Sequence, residues 1–181
     1  MSGDPFSVLG LPARFDLDPG VVERAYLARS ARLHPDLARG DADAAREMAE
    51  LNRARMTIAD PERCADALLL RLGGPPRRDE RALPPAFLME IMDVREAVEA
   101  ALGAGDSAAR DAERARWERW AEAERARAIA EVGGLFAALP SPPPAEALRA
   151  IRIRLNAWRY IERLIEQLDP AYDPGREPLD G

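Results

Sequence analysis

The sequence predicts an all-α protein built from two helical units. Three features carry that expectation. Apolar residues recur with the helical period through nearly the whole chain, and no convincing run alternates as a strand would. Asp-Pro pairs stand where several periodic segments begin, with the Asp free to cap and the Pro at the first helical position. Clusters of Gly and Pro stand where segments end.

Asp4-Pro5 opens a short helix, Phe6 to Leu9, closed by Gly10 and Pro12. Asp18-Pro19 starts the second helix, which runs to about Leu33 and meets His34-Pro35-Asp36, where Pro35 disfavours helical backbone at His34. A loop from Leu37 to Asp41 leads to a third helix, about Ala42 to Ala59, and Asp60-Pro61 starts a fourth that reaches Arg71. The run Gly73-Gly74-Pro75-Pro76-Arg77-Arg78-Asp79-Glu80, polar and dense in helix breakers, is the clearest boundary in the chain. It divides residues 1–73 from a linker at 74–84 and a second unit at 85–169. That unit holds three longer helical patterns, Pro85 to Leu102, Ser107 to Leu139 and Ala145 to Leu168, which short turns would fold into an antiparallel three-helix bundle. Residues 170–181, rich in Pro, Gly and acids, are expected to form a flexible tail.

Composition removes several function classes. All 26 basic residues are arginine, a uniformity that points to coding bias rather than to chemistry. The net charge of −6, without any strongly basic stretch, argues against nucleic acid or an anionic membrane as the main partner. No apolar run approaches the ~20 residues that a membrane span needs, and the opening MSGDPFSVLG lacks the pattern of a signal peptide. Cytoplasm is therefore the expected location. One cysteine, Cys64, and one histidine, His34, leave neither an internal disulfide nor a Cys/His metal site to assemble, so no metal or other cofactor is expected. Cys64 lies inside an ordinary helical stretch, and there is no GxSxG elbow, so no activated nucleophile is evident.

Helical geometry sorts the remaining residues. At ~100° per residue, Val22, Tyr26 and Leu33 form the buried stripe of the second helix, with Arg29 at its edge. Arg24, Ala28, Ala31 and Arg32 lie roughly opposite and could pair with carboxylates or simply face water. In the helix from Pro85, the spacing of Phe87, Ile91, Val94, Val98 and Leu102 makes a core stripe. Leu88, Met89 and Met92 fall on a second face beside Asp93 and Glu96, with Arg95 at its margin. An apolar centre edged by charges, with adaptable methionines, has the anatomy of an interface; the plain alternative is that Leu88 and Met92 pack on the first unit. In the last helix Leu148, Ile151, Leu155 and Trp158 read as core and Ile153, Tyr160 and Leu164 as a flanking stripe. Trp117 and Trp120 are expected in the bundle core or at its join with the first unit.

His-Pro-Asp after an amphipathic helix, with PFSVLGLP before it and LNRARMTIADPERCADALLL after it, resembles the J domain. AFLMEIMDVREAVEA, following the linker, resembles the opening of the C-terminal domain in HscB-type co-chaperones of iron–sulfur cluster assembly. The two resemblances occur in the right order and together cover about residues 4–168. They imply an all-α, L-shaped protein, with a J domain at 1–73 formed by an antiparallel helix hairpin and its HPD loop, and a scaffold-binding bundle at 85–169. They also imply a non-enzymatic adaptor that stimulates a DnaK/HscA-class ATPase and delivers an IscU-type iron–sulfur scaffold protein to it. On this view His34, Pro35, Asp36, Arg24 and Arg32 meet the chaperone. Leu88, Met89, Met92, Asp93, Arg95, Glu96 and, by alignment of LNAWRYIERL, Tyr160 meet the scaffold. Three positions depart from the family pattern: Leu37 replaces a usual basic residue, Arg29 a usual leucine and Arg55 a usual aromatic. The rival readings are a J-domain protein with another client, a structural protein with a vestigial HPD, and an enzyme using His34 and Asp36 as acid and base.

Overall fold

The computed structural model describes residues 3–33, 42–103 and 105–169. The HPD tripeptide and the expected tail at 170–181 lie outside the described residues. Those described form α1 (Pro5–Leu9), α2 (Pro19–Ser30), a 3-10 turn (Ala31–Leu33), α3 (Ala42–Ala59), α4 (Pro61–Arg71), α5 (Phe87–Gly103), α6 (Ser107–Ala137) and α7 (Ala145–Leu168), with no strand among them.

Local chemistry accounts for the helix starts. Asp4, Asp18, Asp60 and Asp106 each accept a hydrogen bond from the backbone N–H three residues on, at Ser7, Val21, Arg63 and Ala109. Each such cap is worth ~1 kcal/mol. Gly10 ends α1 with φ 61, and a Cβ added there would lie 1.7 Å from Arg29 Nη2. The departure at Arg29 is thus accommodated by a bare backbone: its stem packs at the edge of α2 and its guanidinium lies against Gly10. Several helix bounds differ from expectation. The last turn of the second helix tightens to 3-10 geometry at Ala31–Leu33, and α6 stops at Ala137. α5 begins at Phe87 rather than Pro85, because Ala86 takes φ 65 and Phe87 N–H donates to the Pro84 carbonyl at 3.2 Å.

Packing gathers most of the buried side chains around two cores. One core gathers Phe6, Leu9, Val22, Leu51, Ile58, Cys64 and Leu68. Another gathers Ile91, Val132, Leu148, Ile151, Leu155, Trp158 and Ile161, and into it come Ala65 and Leu69 of α4. Cys64 and Leu68 face one core while Ala65 and Leu69, one position on, face the other. α4 is therefore a wall common to both units. Phe15 and Phe136 add an aromatic contact across the join, with ring centroids 5.8 Å apart. Trp117 and Trp120 take the first of their two expected places, the bundle core, where they meet edge-to-face at 5.9 Å beside a cluster of Val98, Ala121, Leu164 and Leu168. Leu164, expected on a flanking stripe, is buried in that cluster.

The linker is pinned rather than free. Arg152, 2% exposed, donates from Nε to the Pro75 carbonyl at 2.8 Å and pairs through Nη2 with Asp66 of α4 at 2.6 Å. Asn156 Nδ2 donates to the carbonyls of Glu80 and Ala82 at 2.9 and 3.0 Å, and Arg149 pairs with the Glu80 carboxylate. One face of α7 thus satisfies backbone that would otherwise be stranded as it crosses between the units.

Candidate functional site

Two surfaces gather the sequence-derived candidates. On α2 and the 3-10 turn that follows it, Arg24, Ala28, Ala31 and Arg32 all face solvent. Leu27, absent from the expected set, is 54% exposed on the same side, three residues from Arg24 and four from Ala31. Its helical spacing was the available signal. The inner side of α2 is tied to α3. Tyr26 donates from its hydroxyl to Asn52 Oδ1 at 2.8 Å, and Arg55 pairs with Glu23 at 2.7 Å. The Arg55 guanidinium also lies 4.9 Å from the Tyr26 ring centroid. A cation over an aromatic face is attractive, so an arginine can serve where the family pattern has an aromatic ring.

The second surface is α5. Ile91 and Val98 are buried, at 2% and 7%, whereas Leu88, Met89 and Met92 are exposed at 50%, 72% and 54%. The alternative that Leu88 and Met92 pack on the first unit is excluded by those exposures. Asp93, Arg95 and Glu96 are exposed beside them. Tyr160 is half-buried and meets Phe87 edge-on, with centroids 6.0 Å apart, which places its ring next to the first turn of α5. The helix therefore holds one apolar stripe in the core and presents another, rimmed by charge, to water.

Cys64 is buried, and burial first, then the nearby Asp60 carboxylate, pushes its thiol up to about 11. A thiol so protonated at neutral pH is a poor nucleophile. Among the described residues no group of three or more His, Cys, Asp or Glu side chains is placed to hold a metal ion, and no helix is long and apolar enough to cross a membrane.

The family model of the HSCB C-terminal oligomerisation domain matches residues 83–169. A co-chaperone protein HscB homolog of Burkholderia mallei (strain SAVP1) is 34% identical over 169 residues, covering 88% of this chain and 94% of that protein. The mitochondrial J-type co-chaperone jac1 of Schizosaccharomyces pombe is 32% identical over 157 residues, covering 85% of this chain and 65% of the other. The solved structure of the chaperone HscB from Vibrio cholerae superposes with a TM-score of 0.71 at 25% identity, covering 91% of this chain and 94% of that one. With a relative this similar along nearly its entire length, and with the same fold, the chain belongs to the HscB co-chaperone family.

Proposed function

We propose that this protein couples two partners: it stimulates the ATPase of a DnaK/HscA-class chaperone and delivers an IscU-type iron–sulfur scaffold protein to it. The observation that carries the proposal is the exposed Leu88, Met89 and Met92 stripe on a helix whose opposite stripe is core. Burying such side chains against a partner removes apolar surface from water at ~25 cal/mol per Å², and the rim of Asp93, Arg95 and Glu96 sets the partner's orientation. Tyr160 extends the patch from α7.

At the other end, the outward face of α2 offers Arg24 and Arg32 to carboxylates on the chaperone, and His34, Pro35 and Asp36 follow directly in sequence. Arg24 and Arg32 stand among the small side chains of Ala28 and Ala31, which allow close approach. The protein performs no chemistry of its own on this reading, since the ATP-hydrolysing groups belong to the chaperone. Holding both partners on one chain raises their effective mutual concentration without requiring a strong direct contact between them.

The test is chaperone ATPase turnover with the wild type and with His34→Gln. The variant is expected to lose stimulation while keeping its fold and its scaffold affinity. Undiminished stimulation by His34→Gln would remove the J-domain role. A J-domain protein with a different client is the second reading, and calorimetry with an IscU-type scaffold separates the two.

A further inference from the structure

The sulfur atoms of this chain separate by exposure. Cys64 is buried and its thiol is held protonated, whereas oxidation of a cysteine begins at the thiolate. Of the five methionines, Met1 lies outside the described residues and Met48 packs half-buried against the first core. Met56, Met89 and Met92 are exposed, at 59%, 72% and 54%. A thioether has no proton to lose and reacts as it stands, so access from solvent governs its oxidation. Among the described residues, the sulfur open to an oxidant is therefore methionine sulfur.

Two of the three exposed thioethers share one turn of α5. Met89 and Met92 stand three residues apart, which puts them on one face of the helix. Leu88 lies beside them, and Asp93, Arg95 and Glu96 form the rim. Neither methionine packs into the clusters that take up Ile91 and Val98 from the same helix. Met56 belongs to α3 in the other unit, on the side opposite the buried Leu51, Ala54 and Ile58. The fold thus puts two reactive sulfurs inside the candidate scaffold surface and one outside it.

We propose that Met89 and Met92 form a reversible oxidation site at which a peroxide switches off scaffold binding. The inference rests on the scaffold-binding role proposed above. With hydrogen peroxide, a sulfur lone pair attacks one oxygen, so an S–O bond forms as the O–O bond breaks. The departing hydroxide takes the proton of the transferred hydroxyl and leaves as water; sulfur gives up two electrons and the peroxide gains them. The sulfoxide is polar and accepts hydrogen bonds, so covering it with an apolar partner surface strands its oxygen. Leu88 is then the one unaltered apolar side chain of the stripe. Because neither sulfur belongs to a core, the change costs the fold little. A thiol-dependent sulfoxide reductase reverses it, the oxygen leaving as water while two thiols become a disulfide. Delivery halts while the oxidant is present and resumes after reduction.

The test treats the full chain with hydrogen peroxide, locates the sulfoxides by peptide mass mapping and removes the peroxide. Calorimetry with an untreated IscU-type scaffold then compares wild type, Met56→Leu and Met89→Leu/Met92→Leu, each against its own value before treatment. Wild type and Met56→Leu are expected to gain oxygen at Met89 and Met92, to bind at least ~10-fold more weakly and to melt as before. Sulfoxide reductases should restore their affinity. Met89→Leu/Met92→Leu, apolar but without thioethers there, should change by less than about twofold. Undiminished binding by wild type carrying both sulfoxides would overturn the inference and leave the scaffold role standing. So would reduced Met89 and Met92 beside an oxidised Met56, a loss that accompanies unfolding, or an equal loss in the leucine variant. Where the leucine variant binds too weakly to measure, the treated wild type decides, and a loss that reductase does not reverse overturns the inference. Failure of the untreated wild type to bind the scaffold would overturn both readings.

Discussion

Glu62 of α4 lies 3.5 Å from Arg159 of α7, across the join between the two units, with both side chains 21% exposed. Burial, outweighing the attraction of Arg159 and Arg77 and aided by the nearby Glu162 and Asp60 carboxylates, pushes the Glu62 carboxyl up to about 7. Arg159 is shared with Glu166 at 3.1 Å. Glu162, by contrast, is held firmly by Arg125 and accepts from Trp158 Nε1 at 2.7 Å.

A pH dependence follows. The unfolded chain releases the Glu62 proton near the usual value of about 4.5, whereas the folded chain keeps it to about 7. Protonated Glu62 therefore favours the folded state, and that contribution is full below pH 4.5 and lost as pH rises through 7. Relative to Glu62→Gln, the wild type should lose about 2 kcal/mol of stability between pH 5 and pH 8. Urea titrations of both chains across that range measure it, and parallel curves would show that Glu62 does not titrate there.

Arg152→Ala should be far more damaging than loss of an exposed arginine. It removes the donor to the Pro75 carbonyl and strands Asp66. Breaking a buried pair from one side costs ~3–5 kcal/mol, discounted here toward 2–3 because the Asp66 side chain is 45% exposed. Arg149→Ala, whose own side chain is 61% exposed, should cost less than ~1 kcal/mol. Thermal and urea melts rank the two, and equal losses would mean that the linker is not held through Arg152.

Truncation on α5 should separate binding from stability. Leu88, Met89 and Met92 changed together to Ala should leave the melting temperature nearly unaltered, since exposed side chains lose little burial. Scaffold affinity should fall by several kcal/mol, at ~1–3 kcal/mol for each anchoring side chain. Ile91→Ala should do the reverse, costing ~2–4 kcal/mol through a core cavity. A triple variant that melts well below the wild type would assign the second stripe to the core.

Charge reversal at Arg24 and Arg32 together should weaken chaperone binding, and the wild-type association should itself weaken as salt is added. ATPase stimulation measured over a range of ionic strength reads both effects. Insensitivity to salt and to both substitutions would place the chaperone contact on another face.

The helices were legible in the sequence because their determinants are local. Each Asp-Pro start is a cap and a preset backbone angle within a single turn, and the stripes of Ile91 with Val98 and of Leu148 with Leu155 follow from period alone. The exposure of Leu88, Met89 and Met92 was foreseeable for the same reason: one helix cannot turn two faces to one core. Where a side chain's surroundings come from distant segments, sequence spacing was silent. Arg152 reads as one more surface arginine until α7 is laid against α4 and Pro75, and only then is it the bolt of the linker. Leu164 became core because Val98, Ala121 and Leu168 close around it, and the half-turn start of α5 was set by Ala86 at φ 65. The sequence by itself determined which residues form helices and which stripes are apolar, since capping and period act over a few residues. Only the tertiary structure decided that α4 serves two cores and which arginines find an acid, because burial and charge pairing depend on neighbours far along the chain.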